Sequence, residues 1–448
     1  MNKIKSFGIY LIPIPFVLNF ILNLNKNNHL FLGSLILGFF CFLFLYLIGK
    51  ELNEALGLGS ISLSITFYLM FAFTLNFVLL PLDRLFLNFQ EMILIYNTLV
   101  VLFIFFKKKN PRYLLFALIL LFVLRNIITV FDFDTSTYIQ YSSDVSEFWL
   151  PMSNMIYSND LYFSIQNNIM PGYSLLINFV YAKLYFLFFG HSSFSFNLIV
   201  PNIFLYLNLL LIIEIKSKKI SKIIVLSIFT SILLNSVWLS YLFFNSLMGE
   251  VVVNYLFSVF LINAYCNLKV HNNKYYFFIL GFLYFLKPFS SVLFFIVALY
   301  LVFKQKKYSY VWLSMVGFFL NYIYSSLIFE NQTTQNLYFR IFLENSNNLL
   351  DFQFENIFLI LYQEIFIDKV LTLFIIIYIF SKIINTGTIN NFNLLIAILL
   401  INLFFVFILY TTIWKEVELG SAYRYIFSFI NIMFLDFQLS VDKKLLNN

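Results

Sequence analysis

KKKNPRYLLFALILLFVLRNIITVFDFD (107–134) sets a basic cluster, a long apolar run and a pair of acids end to end. An α-helix needs roughly 20 predominantly apolar residues to cross a hydrocarbon core of about 30 Å, and residues 113–131 come close to that length. Lysine and arginine favour the cytoplasmic end of such a helix, so KKKNPR (107–112) predicts the inner side and FDFD (131–134) an exit on the outer side. The same alternation recurs along the whole chain. Hydrophobic residues make up 61% of it and charged residues only 11%, with a mean hydropathy of +0.88. That combination predicts an all-α polytopic integral membrane protein and excludes an ordinary soluble domain.

Working outward, apolar runs lie at 7–24, 30–48, 60–81 and 92–106 before the quoted stretch. After a hydrophilic break (132–170) they resume at 172–189, 196–215, 221–244, 250–267, 275–287, 289–303, 308–329, 356–380, 392–412 and 424–440. Together they predict about 13–15 transmembrane segments. The first run has no small-residue cleavage site behind it and reads as a retained helix.

Basic breaks at MNKIK, KKKNPR, KSKKISK (216–222), KQKK (304–307) and VDKK (441–444) all predict cytoplasmic ends. Counting from the N-terminus places the 132–170 loop outside, and counting back from the C-terminus places Glu250, the 330–355 loop and the 413–423 loop outside. The counts clash once: two full spans between 172 and 215 would carry KSKKISK to the outer side. One of those segments, or part of the 132–170 loop, is therefore expected to be a half-span or re-entrant piece.

The net charge of +7 is spread over span ends and is no nucleic-acid footprint. Cys41 and Cys266 stand far apart in apolar runs, and His29, His191 and His271 occupy separate breaks, so neither type suggests a metal cluster. Asp132 and Asp134 read as a polar helix exit, with a divalent-metal role left open. No other cofactor is implied.

Polar candidates gather instead on the expected outer face. In YSSDVSEFWLPMSNMIY (141–157), Asp144 and Glu147 stand about one helical turn apart with Trp149 beside them. An acid beside a membrane is costly unless water, a partner or a substrate meets it. The plainer reading of Asp144 is a wetted loop acid paired with Lys183 or a lipid head group. Glu250 opens an apolar run, where an acid also suits a helix N-terminus. Lys287 and Arg424 can hold phosphate oxygens, or can snorkel to the interface. Tyr173 and Tyr425 suit an interfacial aromatic belt.

Across residues 132–440 the chain resembles the GT-C superfamily of membrane glycosyltransferases, which includes protein O-mannosyltransferases and the aminoarabinose transferases of lipid A. The blocks occur in the family's order: DVSEFW (144–149), MPGYSLLINFVYAKLYFLFFG (170–190), SLMGEVVVNYLFSVFLINAY (246–265), GFLYFLKPFSS (281–291) and GSAYRYIFSF (420–429). Met170 stands where a basic residue often precedes Pro-Gly-Tyr, and Glu250 where Asp is common. Five spans precede the acidic loop, so residues 1–131 form an N-terminal extension, 132–440 the catalytic module and 441–448 a cytoplasmic tail.

The resemblance implies a polyprenyl-phosphate-sugar donor, a glycan, lipid or protein acceptor, and an active site on the outer face of a plasma or inner membrane. Asp144 is the expected base and Glu147 its tuning or acceptor-holding partner, with Glu250, Lys287, Arg424, Tyr173 and Tyr425 expected to bind substrate. Two other readings remain. A surface-polysaccharide polymerase or O-antigen ligase also has many spans and an outer loop, but relies on outer arginines and histidines, which are few here. A lipid-linked oligosaccharide flippase predicts internal repeats and mid-membrane charges, whereas no repeat is visible.

Overall fold

The computed structural model describes residues 9–22, 29–78, 88–108, 110–135, 149–159, 175–189, 195–216 and 368–384, with scattered positions between. Every described element is helical: α1 Pro13–Leu22, α2 His29–Leu56, α3 Ile61–Val78, α4 Phe89–Lys107, α5 Arg112–Thr135, α6 Leu150–Ser158, α7 Leu176–Leu184, α8 Phe196–Lys216 and α9 Lys369–Ile384. A π-helical turn, Tyr185–Phe189, continues α7. The runs expected before the acidic loop are all present as helices. Three helical stretches, Leu32–Leu56, Phe89–Lys107 and Arg112–Phe131, are long and apolar enough to cross a bilayer.

The chain forms two compact units, one of residues 1–19, 216–242 and 334–448, the other of 20–215 and 243–333. Helices on both sides of residue 132, the expected start of the catalytic module, belong to the second unit. In the first unit α9 begins inside the run expected at 356–380. Asp368 starts it as a cap, accepting from the Val370 N–H at 3.1 Å, which satisfies a donor that a helix start leaves free.

The second unit is organised around α2. Its spanning stretch is 72% buried, against 28% and 22% for those of α4 and α5, so α2 is central and the other two are peripheral. Small residues let its neighbours approach closely, as expected for apolar helix packing. A Cβ added at Gly33 would stand 2.5 Å from the Phe131 ring of α5, and one at Gly38 would stand 2.6 Å from Asn202 Cβ of α8. Gly49 gives the same close approach to Ile65 of α3. At the tight turn from α2 to α3, Gly57 and Gly59 hold φ of 66° and 80°, a region other residues rarely enter.

Polar contacts define one end of this unit. Lys108, just past α4, pairs with Glu51 and Glu54 at the end of α2. Glu51 also accepts from the Tyr113 N–H at the start of α5, at 3.0 Å, and Lys50 lies 3.4 Å from the Tyr113 ring centroid. The end of α8 arrives here too. Glu214 accepts from the Ile61 N–H, from the Ser62 N–H (3.0 Å) and hydroxyl (2.7 Å), and from the Ser60 hydroxyl (3.0 Å). Ser60 in turn accepts from the Leu63 N–H at 3.2 Å. Three of the orphan donors of α3 are thereby satisfied, with a carboxylate on the positive end of the helix dipole.

This arrangement bears on the clash in the topology count. KKKNPR and the end of α8 lie at the same, basic end. The helix α7 begins at the opposite end, beside Trp149 and the start of α4, while α8 finishes at the basic end. Two full spans would have returned the chain to where α7 began. From Leu176 to Phe189 the helix rises only about 21 Å, against about 31 Å for α8, and the bilayer core is about 30 Å. The two arms close on each other through Tyr185, whose ring stacks on Phe196 at 3.9 Å. The helix in the run expected as a span at 172–189 is therefore of half-span length, and α8 carries the chain to the basic end.

Candidate functional site

Asp144, Glu147, Tyr173, Glu250, Lys287, Arg424 and Tyr425 all lie outside the described residues, as do the side chains of Asp132 and Asp134. The structure does describe what flanks the acidic loop. On its near side α5 continues through FDFD to Thr135, so the acids stand in the last helical turn. On its far side Trp149 is 4% exposed and opens the short helix α6, with Pro151 in its first turn, a position where proline suits a helix.

Trp149 is fixed through its backbone. Its carbonyl accepts from Ser153 Oγ at 2.5 Å and from Asn178 Nδ2 of α7 at 3.2 Å. The other end of α6 is tied to α4: the Phe89 N–H donates to the Asn159 carbonyl at 3.0 Å, and Gln90 Nε2 to the Tyr157 carbonyl at 3.2 Å. A capping box between Asn88 and Glu91 starts α4 at this level. The chain thus leaves the acidic loop into a rigid element, two residues after Glu147, at the end remote from the basic cluster.

Lys183 of α7 is fully buried. Its ammonium donates to the Tyr68 carbonyl and lies 3.7 Å from the Tyr68 ring centroid and 4.3 Å from that of Tyr96. Tyr96 donates its hydroxyl to the same carbonyl at 3.0 Å, and Tyr68 donates its own to Asn97 Oδ1 at 2.9 Å. Among the described residues no carboxylate pairs with Lys183. Two aromatic faces and a carbonyl take that place.

In the block that follows Glu250, Val251 and Val252 are buried. Tyr255 donates to the Ser62 carbonyl at 3.1 Å, so this segment is tied to the basic half of α3.

Compared with family models, with curated proteins and with solved structures, the chain matches none.

Arg125 and Glu214 did not stand out in the sequence reading, and Lys183 appeared there only as a possible partner of Asp144. Each is a charge inside an apolar run, and that was the available signal. The partners of Lys183 and Glu214 lie on another helix, where local spacing is silent. Among the described residues no three His, Cys, Asp or Glu side chains group as a metal site would require.

Proposed function

We propose that this chain is a GT-C-type membrane glycosyltransferase that moves a sugar from a polyprenyl-phosphate-linked donor to an acceptor hydroxyl on the outer membrane face. The observation that supports the reading is the placement of the helix that follows the acid pair in sequence. Asp144 and Glu147 directly precede a helix docked at the end opposite the Lys108–Glu51–Glu54 cluster, and the positive-inside rule makes that the outer end. The order of the sequence blocks supplies the class.

The chemistry is an inverting displacement. Asp144 takes the proton of the acceptor hydroxyl, whose oxygen attacks the anomeric carbon. The bond from that carbon to the phosphate oxygen breaks, and polyprenyl phosphate leaves. This parallels the base half of an inverting glycosidase. Glu147 favours the protonated form of its neighbour and so makes Asp144 a better base. Phosphate needs no general acid, so positive charge from Lys287 and Arg424 stabilises the departing group. Glu250, Tyr173 and Tyr425 line the substrate.

The test is transfer of radiolabelled sugar from a polyprenyl-phosphate-sugar to endogenous acceptors, in membranes carrying wild type or Asp144→Asn. Transfer lost in the variant at equal expression supports the reading. Full activity in Asp144→Asn removes that residue from the mechanism, and no transfer from any carrier in wild type removes the class.

A further inference from the structure

The flank of α5 beside α6 carries a charge that no ion pair or hydrogen bond engages among the described residues. Along α5, Leu114, Ala117, Leu124 and Ile128 are buried, a stripe facing α2. Arg125 is exposed on the edge of that stripe. At 100° per residue, Thr129 lies one turn above it, and Phe122, Leu118 and Leu115 continue the same flank toward the basic end. These three are 72%, 41% and 63% exposed. Thr129 satisfies its hydroxyl on the Arg125 carbonyl at 2.8 Å, and Asn126 its amide on the Phe122 carbonyl at 2.8 Å. The Arg125 guanidinium has no ion pair or hydrogen bond among the described residues.

Depth makes that conspicuous. Arg125 is thirteen residues beyond Arg112, about 20 Å along the axis from the basic end, and about 9 Å short of Phe131. Helical side chains lean toward the N-terminus, so its stem leads back into the bilayer and away from the nearer interface. A charge held there is costly unless a counter-charge, a carbonyl or water meets it, and a lipid-borne anion is the partner an outward-facing guanidinium can reach. The side it faces is known from Tyr157 of α6: burial raises that hydroxyl's pKa and the Arg125 charge opposes the rise. The guanidinium therefore stands within electrostatic reach of the helix that follows the acidic loop.

We infer that Arg125 anchors the phosphate of a membrane-borne polyprenyl carrier, whose chain runs down the Phe122–Leu118–Leu115 flank. This rests on the glycosyltransferase reading and adds a carrier-binding residue from the N-terminal extension. A fork of N–H donors matches phosphate oxygens bidentately. The carrier that leaves after transfer is a phosphate monoester with close to two negative charges at neutral pH, more than the single charge of the sugar-linked donor or of a bulk phosphodiester head group. Only a lipid-borne phosphate reaches this flank, because the surface around it is apolar.

The test uses the full chain in phosphatidylcholine nanodiscs, with undecaprenyl phosphate and undecaprenol as paired probes. Wild type is expected to retain the phosphate at least about tenfold more tightly than the alcohol, the scale of one charge-assisted bidentate contact. Arg125→Gln should erase that preference and Arg125→Lys keep part of it, with unchanged melting temperatures showing that both fold. Equal retention in wild type, or an undiminished preference in Arg125→Gln, overturns the assignment. So does loss of the wild-type preference under excess phosphatidylglycerol, which would mark an ordinary head-group contact. A preserved preference with no sugar transfer from any carrier would sink the glycosyltransferase reading and leave the phosphate anchor standing.

Discussion

Glu214 accepts hydrogen bonds from both the backbone N–H and the hydroxyl of Ser62, and so fastens the end of α8 to the start of α3 across 152 residues of chain. Removing the carboxylate strands donors in a poorly solvated place, and hydrogen bonds to a charged group are worth about 1.5–3 kcal/mol each. Glu214→Ala is therefore expected to destabilise by about 3 kcal/mol or more, and Ser60→Ala by about 1 kcal/mol as a lost cap. Melting of the detergent-solubilised protein checks both. A Glu214→Ala midpoint equal to wild type would show that the cap does not hold α8 in place.

Helix positions were legible because each apolar run has to meet the length of the bilayer, and α4 and α5 fall almost where 92–106 and 113–131 predict them. Misses came where polar residues found distant partners. The run expected at 30–48 continues to Leu56 because Lys50, Glu51 and Glu54 are engaged by Tyr113 and Lys108. The helix at 176–189 reads as an ordinary apolar run interrupted only by Asn178 and Lys183, and its shortness shows only from where α8 ends. Of the candidate site, block order alone was readable, together with the loop that holds the acids. The docking of Trp149 by Asn178 joins positions 29 residues apart, beyond the reach of helical periodicity.

The half-span predicts a sidedness. In a chain freed of Cys41 and Cys266, a cysteine at Ser193 should react with a membrane-impermeant maleimide only from the side that labels a cysteine at Ser143. A cysteine at Ser217 should react only from the other side. Labelling of Ser193→Cys from the Ser217 side would make 176–189 a complete span.

The reach of Glu250 is checked in the same way. Tyr255, five residues on and about 7.5 Å along a helix, is tied to Ser62 near the basic end. For Glu250 to join Asp144 it has to stand on the far side of that tie. Glu250→Cys is expected to label from the Ser143 side, and labelling from the basic side would remove Glu250 from the site.

Lys183 is buried between Tyr68 and Tyr96 without a carboxylate among the described residues. Replacing a buried charge with an apolar side chain of similar volume is often neutral or stabilising, and the Tyr68 carbonyl would keep the Tyr96 hydroxyl as a donor. Lys183→Met is therefore expected to melt within about 1 kcal/mol of wild type, while Lys183→Ala, which opens a cavity, should cost about 2–4 kcal/mol. A Lys183→Met variant as damaged as Lys183→Ala would mean that the ammonium itself is required.

The Lys108 cluster carries the pH dependence that the structure defines. Partial burial works against the Lys108 charge, but hydrogen bonds and charges from Glu51 and Glu54 outweigh it and raise its pKa above the ordinary 10.5. A raised lysine stabilises the fold fully below its unfolded value and loses that contribution as the pH climbs through the folded value. The melting difference between wild type and Lys108→Met should thus be constant from neutral pH to about pH 10 and shrink only above it. Because the ammonium is partly solvated, the difference should be no more than about 1 kcal/mol and should fall with added salt. A difference that vanishes already near neutral pH would show that the lysine is not held in its charged form by the two acids.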